Sequence, residues 1–116
     1  MLQIPVHNMT TIYFTQAKDE YIVSAKEHAG DPLICAGISA LMCGLYNAAY
    51  TLPSVKLLEC DGFTEHSGDV TIRFSGGKEA HAIYTFAIEG LRLIEAKYPD
   101  NVTMLPKSGG ENVSEI

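Results

Sequence analysis

The chain has 116 residues, 47% of them apolar and 19% charged, which suffices for one hydrophobic core and not for two. Its net charge of -6, with no cluster of Lys or Arg, argues against a nucleic-acid surface and makes a basic protein or peptide the better electrostatic partner. Cys35, Cys43 and Cys60 are an odd set without a CxxC pair, so neither a disulfide framework nor a zinc site is indicated, and no metal or cofactor is expected.

Residues 1–11 lack the basic and apolar regions of a signal peptide. No apolar run reads as long enough to span a bilayer, so no membrane partner is expected. Cytoplasmic residence with reduced thiols is the expectation.

In chain order, Met9 to Phe14 is β-rich and reads as a strand. Ala17-Lys18-Asp19-Glu20 is a polar hairpin connection. Tyr21 to Lys26 then alternates, with Tyr21, Val23 and Ala25 on one face. Asp31 and Pro32 are an N-cap and an N1 proline, and the helix they open runs to about Tyr50. Ile34, Ile38, Leu41 and Leu45 form its expected core stripe, with Cys35, Ser39, Met42 and Tyr46 on the neighbouring face.

Val55 to Cys60 reads as a third strand and Asp69 to Phe74 as a fourth. A second helix from about Lys78 to Lys97 is expected to bury Ile83, Ala87, Gly90, Leu91 and Ile94. Asn101 to Leu105 is a short last strand. Residues 1–105 therefore read as one domain, and 106–116, rich in Gly, Ser and Glu, as a disordered tail. The order β-β-α-β-β-α-β, with no βαβαβ alternation, predicts an α+β sandwich: one mainly antiparallel sheet with two helices packed on it.

The chemistry concentrates at Glu27-His28-Ala29-Gly30-Asp31-Pro32-Leu33-Ile34-Cys35. A free cysteine in a helix is most often a small buried hydrophobe. This one falls in the first turn, where unpaired N–H groups and the positive end of the macrodipole favour a thiolate. Ala29 to Asp31 can span about 10 Å at most, so the His28 imidazole stays near the helix start and can take the thiol proton. The Cys35 amide is the expected oxyanion donor, because Pro32 has no N–H. Cys43 and Cys60 read as packing residues, and His7, His66 and His81 as solvent-facing.

His-Ala-Gly, then Asp, then Ile-Cys-Ala-Gly-Ile-Ser-Ala-Leu, resembles the signature of the ribosomal-processing cysteine protease family (Prp). Glu89-Gly90-Leu91-Arg92-Leu93-Ile94-Glu95-Ala96-Lys97-Tyr98-Pro99 looks like that family's closing helix and Tyr-Pro stop. The resemblance spans roughly His28 to Met104. It implies a compact sandwich that dimerises, a cysteine endopeptidase with Cys35 as nucleophile and His28 as base, and a peptide substrate. That substrate is the N-terminal extension of a large-subunit ribosomal protein, or a phage protein in a prophage-type relative.

Ser39 matches the family's serine and is placed to hydrogen-bond the thiolate or substrate, or to back-bond to the Cys35 carbonyl. Asp31 matches an aspartate near the cysteine, with N-capping as its default work. Two departures stand out: the His-to-Cys segment is shorter than in typical members, and Glu27 stands where the family usually has glycine. A non-catalytic peptide-binding module on the same fold and a thiol redox sensor remain open as other readings.

Overall fold

The computed structural model describes residues 9–62 and 69–106; His7, His66 and all of the expected tail except Pro106 lie outside them. The order is β1 (Thr10–Ala17), β2 (Glu20–Lys26), α1 (Pro32–Thr51), β3 (Val55–Asp61), β4 (Val70–Gly76), α2 (Lys78–Lys97) and β5 (Val102–Leu105). The five strands form one sheet in the order β3-β4-β2-β1-β5. β1 runs parallel to β5 and every other neighbouring pair is antiparallel. The α+β sandwich expected from the sequence is what the chain forms.

β1 and β2 are joined by Lys18-Asp19 alone, with Lys18 at φ 58. The connection expected at Ala17 to Glu20 is thus shorter, because Ala17 and Glu20 pair with each other as the last rung of the ladder. Ile12, Tyr21, Val23, Ala25, Ile72, Phe74, Val102 and Met104 face the helices and are buried. Tyr21 stacks on Phe74 and tilts against Tyr84, with ring centroids 5.4 and 4.8 Å apart. The opposite sheet face carries Arg73, paired with Glu20 at 3.1 Å and Glu59 at 3.3 Å.

The helices lie side by side and run antiparallel. A Cβ on Gly90 would sit 2.8 Å from Leu41 Cδ2, and one on Gly37 would sit 3.3 Å from Ile94 Cδ1. Each helix therefore has two packed directions, one toward the sheet and one toward its partner. This corrects the expected core stripes. In α1 the buried set is Ile34, Ile38, Met42, Leu45 and Ala49, while Leu41 is half-buried against α2. In α2 it is Ala80, Tyr84, Ala87, Ile88 and Leu91, while Ile83, Gly90 and Ile94 are half-buried. By length and composition α1 could cross a bilayer, contrary to the expectation that no stretch is long enough; here it is one layer of the sandwich.

Candidate active site

The segment between β2 and α1 is held at both ends. Glu27 N–H donates to Asp69 Oδ1 at 2.9 Å, and the Glu27 carbonyl accepts from Thr10 Oγ1 at 3.0 Å. Two residues on, Ala29 is fully buried and its carbonyl accepts from Asn101 Nδ2 at 3.1 Å. His28 stands between these two fixed points with its side chain exposed. Gly30, at φ 81, then turns the chain toward the helix, a conformation that glycine adopts without a Cβ clash.

Asp31 is an N-cap in extended conformation; its Oδ1 accepts from Leu33 N–H at 2.8 Å and from Ile34 N–H at 3.4 Å. Asp31 therefore does the N-capping expected of it. Cys35 N–H donates to the Asp31 carbonyl at 2.9 Å. This overturns the expectation that the Cys35 amide is an oxyanion donor. The signal was in the sequence: with Pro32 at N1, Cys35 is N4, whose N–H makes the first intrahelical bond to the N-cap carbonyl. The N–H groups of the first turn are thus used locally. Those of Gly30 and Asp31, just before the helix, have no hydrogen-bond partner among the described residues.

Cys35 is half-buried and packs against the edge of the core. His28 and Cys35 flank the same short turn, and no hydrogen bond joins them. Ser39 is exposed one turn after Cys35, and its hydroxyl does not back-bond to the Cys35 carbonyl, in contrast to Thr51, which bonds Asn47 O at 2.8 Å. Cys43 is exposed rather than a packing residue. Cys60 is half-buried on β3; burial first, then Asp61 and Cys43, push its thiol above the ordinary range. His81 is exposed, with Nδ1 3.4 Å from the Tyr21 hydroxyl. Among the described residues no group of three or more His, Cys, Asp or Glu is arranged to hold a metal ion.

No family model matches the chain, and no curated protein sequence does. Solved structures do. The ribosomal processing protease Prp from S. aureus, with a covalently linked product peptide, aligns at TM-score 0.68 and 26% identity, over 83% of this chain and 97% of that one. The fold is that of Prp. At this identity a divergent member of the family fits. The same S. aureus protease with a substrate peptide aligns at TM-score 0.62 and 21% identity, over 83% of this chain and 97% of that one. A Streptococcus mutans protein aligns at 0.68 and 20%, over 83% and 95%.

Glu27 gains a physical reading in this frame. Its φ of 69 lies in the left-handed region, where a glycine has no Cβ to clash and a glutamate does. Thr10, Asp69 and Asn101 hold the loop, and no local pattern announces them, because their partners lie 17, 42 and 72 positions away.

Proposed function

We propose that the chain is a cysteine endopeptidase of the Prp type. Its carrying observation is a cysteine in the first turn of α1, directly after the turn that bears His28, on the fold of a processing protease solved with peptides. In this reading the Cys35 thiolate attacks the scissile carbonyl and His28, having taken the thiol proton, gives it to the leaving amine. Water then hydrolyses the thioester with His28 as base. The N–H groups of Gly30 and Asp31, without partners among the described residues, are the donors left for the oxyanion beside the helix start, since those of the first helical turn are used. Ser39 is free to bond the substrate backbone, and Asp31 holds the helix start.

The substrate class is an extended peptide, with the N-terminal extension of a ribosomal protein as first candidate and a phage protein as second. A ribosomal target implies work in the cytoplasm. One observation favours peptide binding without cleavage: His28 and Cys35 are not hydrogen-bonded to each other.

Alkylation of each cysteine, followed by mass spectrometry in the parent and in His28→Ala, separates the two readings without knowledge of the substrate. The protease reading expects Cys35 to react faster than exposed Cys43, with Cys60 slowest, and His28→Ala to remove the excess. Equal rates at Cys35 and Cys43, with or without His28, would replace the protease by the binding module.

A further inference from the structure

β2 lies between β1 and β4 in the sheet, and its ladders end with Lys26 opposite Thr11 and Ala25 opposite Val70. Glu27 is the first residue past both. There the neighbouring strands hold it with side chains instead of backbone. The Asp69 carboxylate, just before β4, accepts its N–H at 2.9 Å, and the Thr10 hydroxyl, at the start of β1, donates to its carbonyl at 3.0 Å. Side-chain oxygens reach beyond the ladder, so Glu27 stays tied while its φ turns to 69, a value that a residue with a Cβ keeps only when its surroundings fix it. His28 follows directly. It is exposed, and its imidazole has no hydrogen-bond partner among the described residues. The ring is therefore aimed by the backbone beside it and not by bonds of its own.

We propose that Asp69 is a positioning residue for His28: by fixing the Glu27 N–H, its carboxylate aims the turn that bears the imidazole toward the helix start that bears Cys35. This rests on the protease reading above and adds to it a third residue, one that acts only through His28. Of the three ties on the turn, this one has a charged acceptor, the stronger kind of hydrogen bond. It also lies at the surface. Its loss hands the Glu27 N–H to water and strands no polar group in the core, so the fold tolerates the change while the turn loses its aim. The other two ties are poorer levers. Thr10 is itself buried, and Asn101 serves the carbonyl of buried Ala29, so removing either disturbs the core as well as the turn.

The test is the rate at which iodoacetamide modifies each cysteine of the full chain at pH 6, read by mass spectrometry. It compares the parent, Asp69→Ala, Asp69→Asn, His28→Ala and the double variant Asp69→Ala with His28→Ala. An ordinary thiol is almost wholly protonated at pH 6, so an excess rate at Cys35 there reports the help of His28. Asp69→Ala is expected to slow Cys35 by about tenfold, since small misplacements of a reacting group carry penalties of that order or greater. It should leave Cys43 unchanged and melt within about 4 °C of the parent. Asp69→Asn, whose amide oxygen accepts the same bond, is expected within about twofold of the parent. In the His28→Ala background, Asp69→Ala is expected to slow Cys35 no further, because its effect passes through the imidazole. The proposal alone is overturned if Asp69→Ala keeps the parent's rate at Cys35, if Asp69→Asn fails to restore it, or if the double variant falls well below His28→Ala. Faster reaction at Cys43 and Cys60 together, with a lower melting point in Asp69→Ala, would mark Asp69 as structural only and overturns it too. A parent in which Cys35 reacts no faster than Cys43 overturns the protease reading and this proposal with it.

Discussion

The side-chain amide of Asn101 holds the carbonyl of Ala29, 72 positions earlier in the chain, at 3.1 Å. This one bond ties the turn that carries His28 to the residue preceding β5, and so links the candidate base to the last described strand. Removing it leaves the carbonyl of a fully buried residue without its partner. Asn101→Ala is expected to cost about 1–3 kcal/mol, read as a melting temperature lower by roughly 4–8 °C per kcal/mol. Hydrogen exchange should rise locally, at residues 28–31. Unchanged exchange there would mean that Thr10 and Asp69 hold the turn by themselves.

The same turn stores strain at Glu27, whose φ of 69 is costly for a residue with a Cβ. Relief of that strain, about 1–2 kcal/mol, outweighs the extra chain entropy of glycine, about 0.5–1 kcal/mol. Glu27→Gly is therefore expected to leave stability unchanged or raise it by about 1 kcal/mol. Glu27→Val, with a branched Cβ in the same conformation, should destabilise by more than Glu27→Ala does. Chemical denaturation of the three variants gives the ranking, and a Gly variant less stable than Ala would show that the turn is not strained as described.

These two residues also mark where the sequence is readable. The Asp31-Pro32 helix start is local chemistry, and it folds as read, down to the carboxylate that caps it. The hairpin is tighter than the expected four-residue connection because Lys18 takes a left-handed φ without the Gly or Asn that would announce a two-residue turn. Met42 is in the core rather than on the neighbouring face because a single helical stripe assumes one direction of burial, and α1 has two. The parallel pairing of β1 with β5 and the ties to Thr10, Asp69 and Asn101 are relations between distant segments, which no local pattern encodes. At the site, sequence reading found His28, Cys35 and Ser39 as candidates but not what holds them.

Two helical glycines make opposite predictions. Gly44 has open space where a Cβ would go, so Gly44→Ala should gain the helix propensity of alanine, about 0.5–1 kcal/mol. At Gly90 the new methyl would lie 2.8 and 3.0 Å from the two Leu41 methyls. Leu41 must change rotamer between the helices, and overpacking of this kind costs about 1–3 kcal/mol, which more than offsets the propensity gain. Gly90→Ala is expected to be less stable than Gly44→Ala by about 1–3 kcal/mol. The double variant Gly90→Ala with Leu41→Ala should recover part of the packing strain but lose the leucine's own burial, so a full rescue would contradict the geometry.

Tyr84 is expected to contribute to the loss of stability at alkaline pH. It is 8% exposed, tilted against the Tyr21 ring, and its hydroxyl has no hydrogen-bond partner among the described residues. Burial pushes its pKa up from 10.0 to about 12, against the opposing pull of Arg92. Tyrosine is neutral when protonated, so a folded value above the unfolded one means that the native state keeps its proton where the unfolded state has lost it. The resulting stability is present in full below pH 10 and declines as pH rises from 10 toward 12, because each step then favours the unfolded, ionised form. The total is on the order of 2 kcal/mol. Tyr84→Phe should be near neutral at pH 7, since no hydrogen bond is lost, and should flatten the decline between pH 10 and 12 relative to the parent. Urea unfolding at pH 8, 10 and 11.5 compares the two. Parallel curves for parent and Tyr84→Phe would assign the alkaline loss to other groups and show that the Tyr84 hydroxyl reaches water.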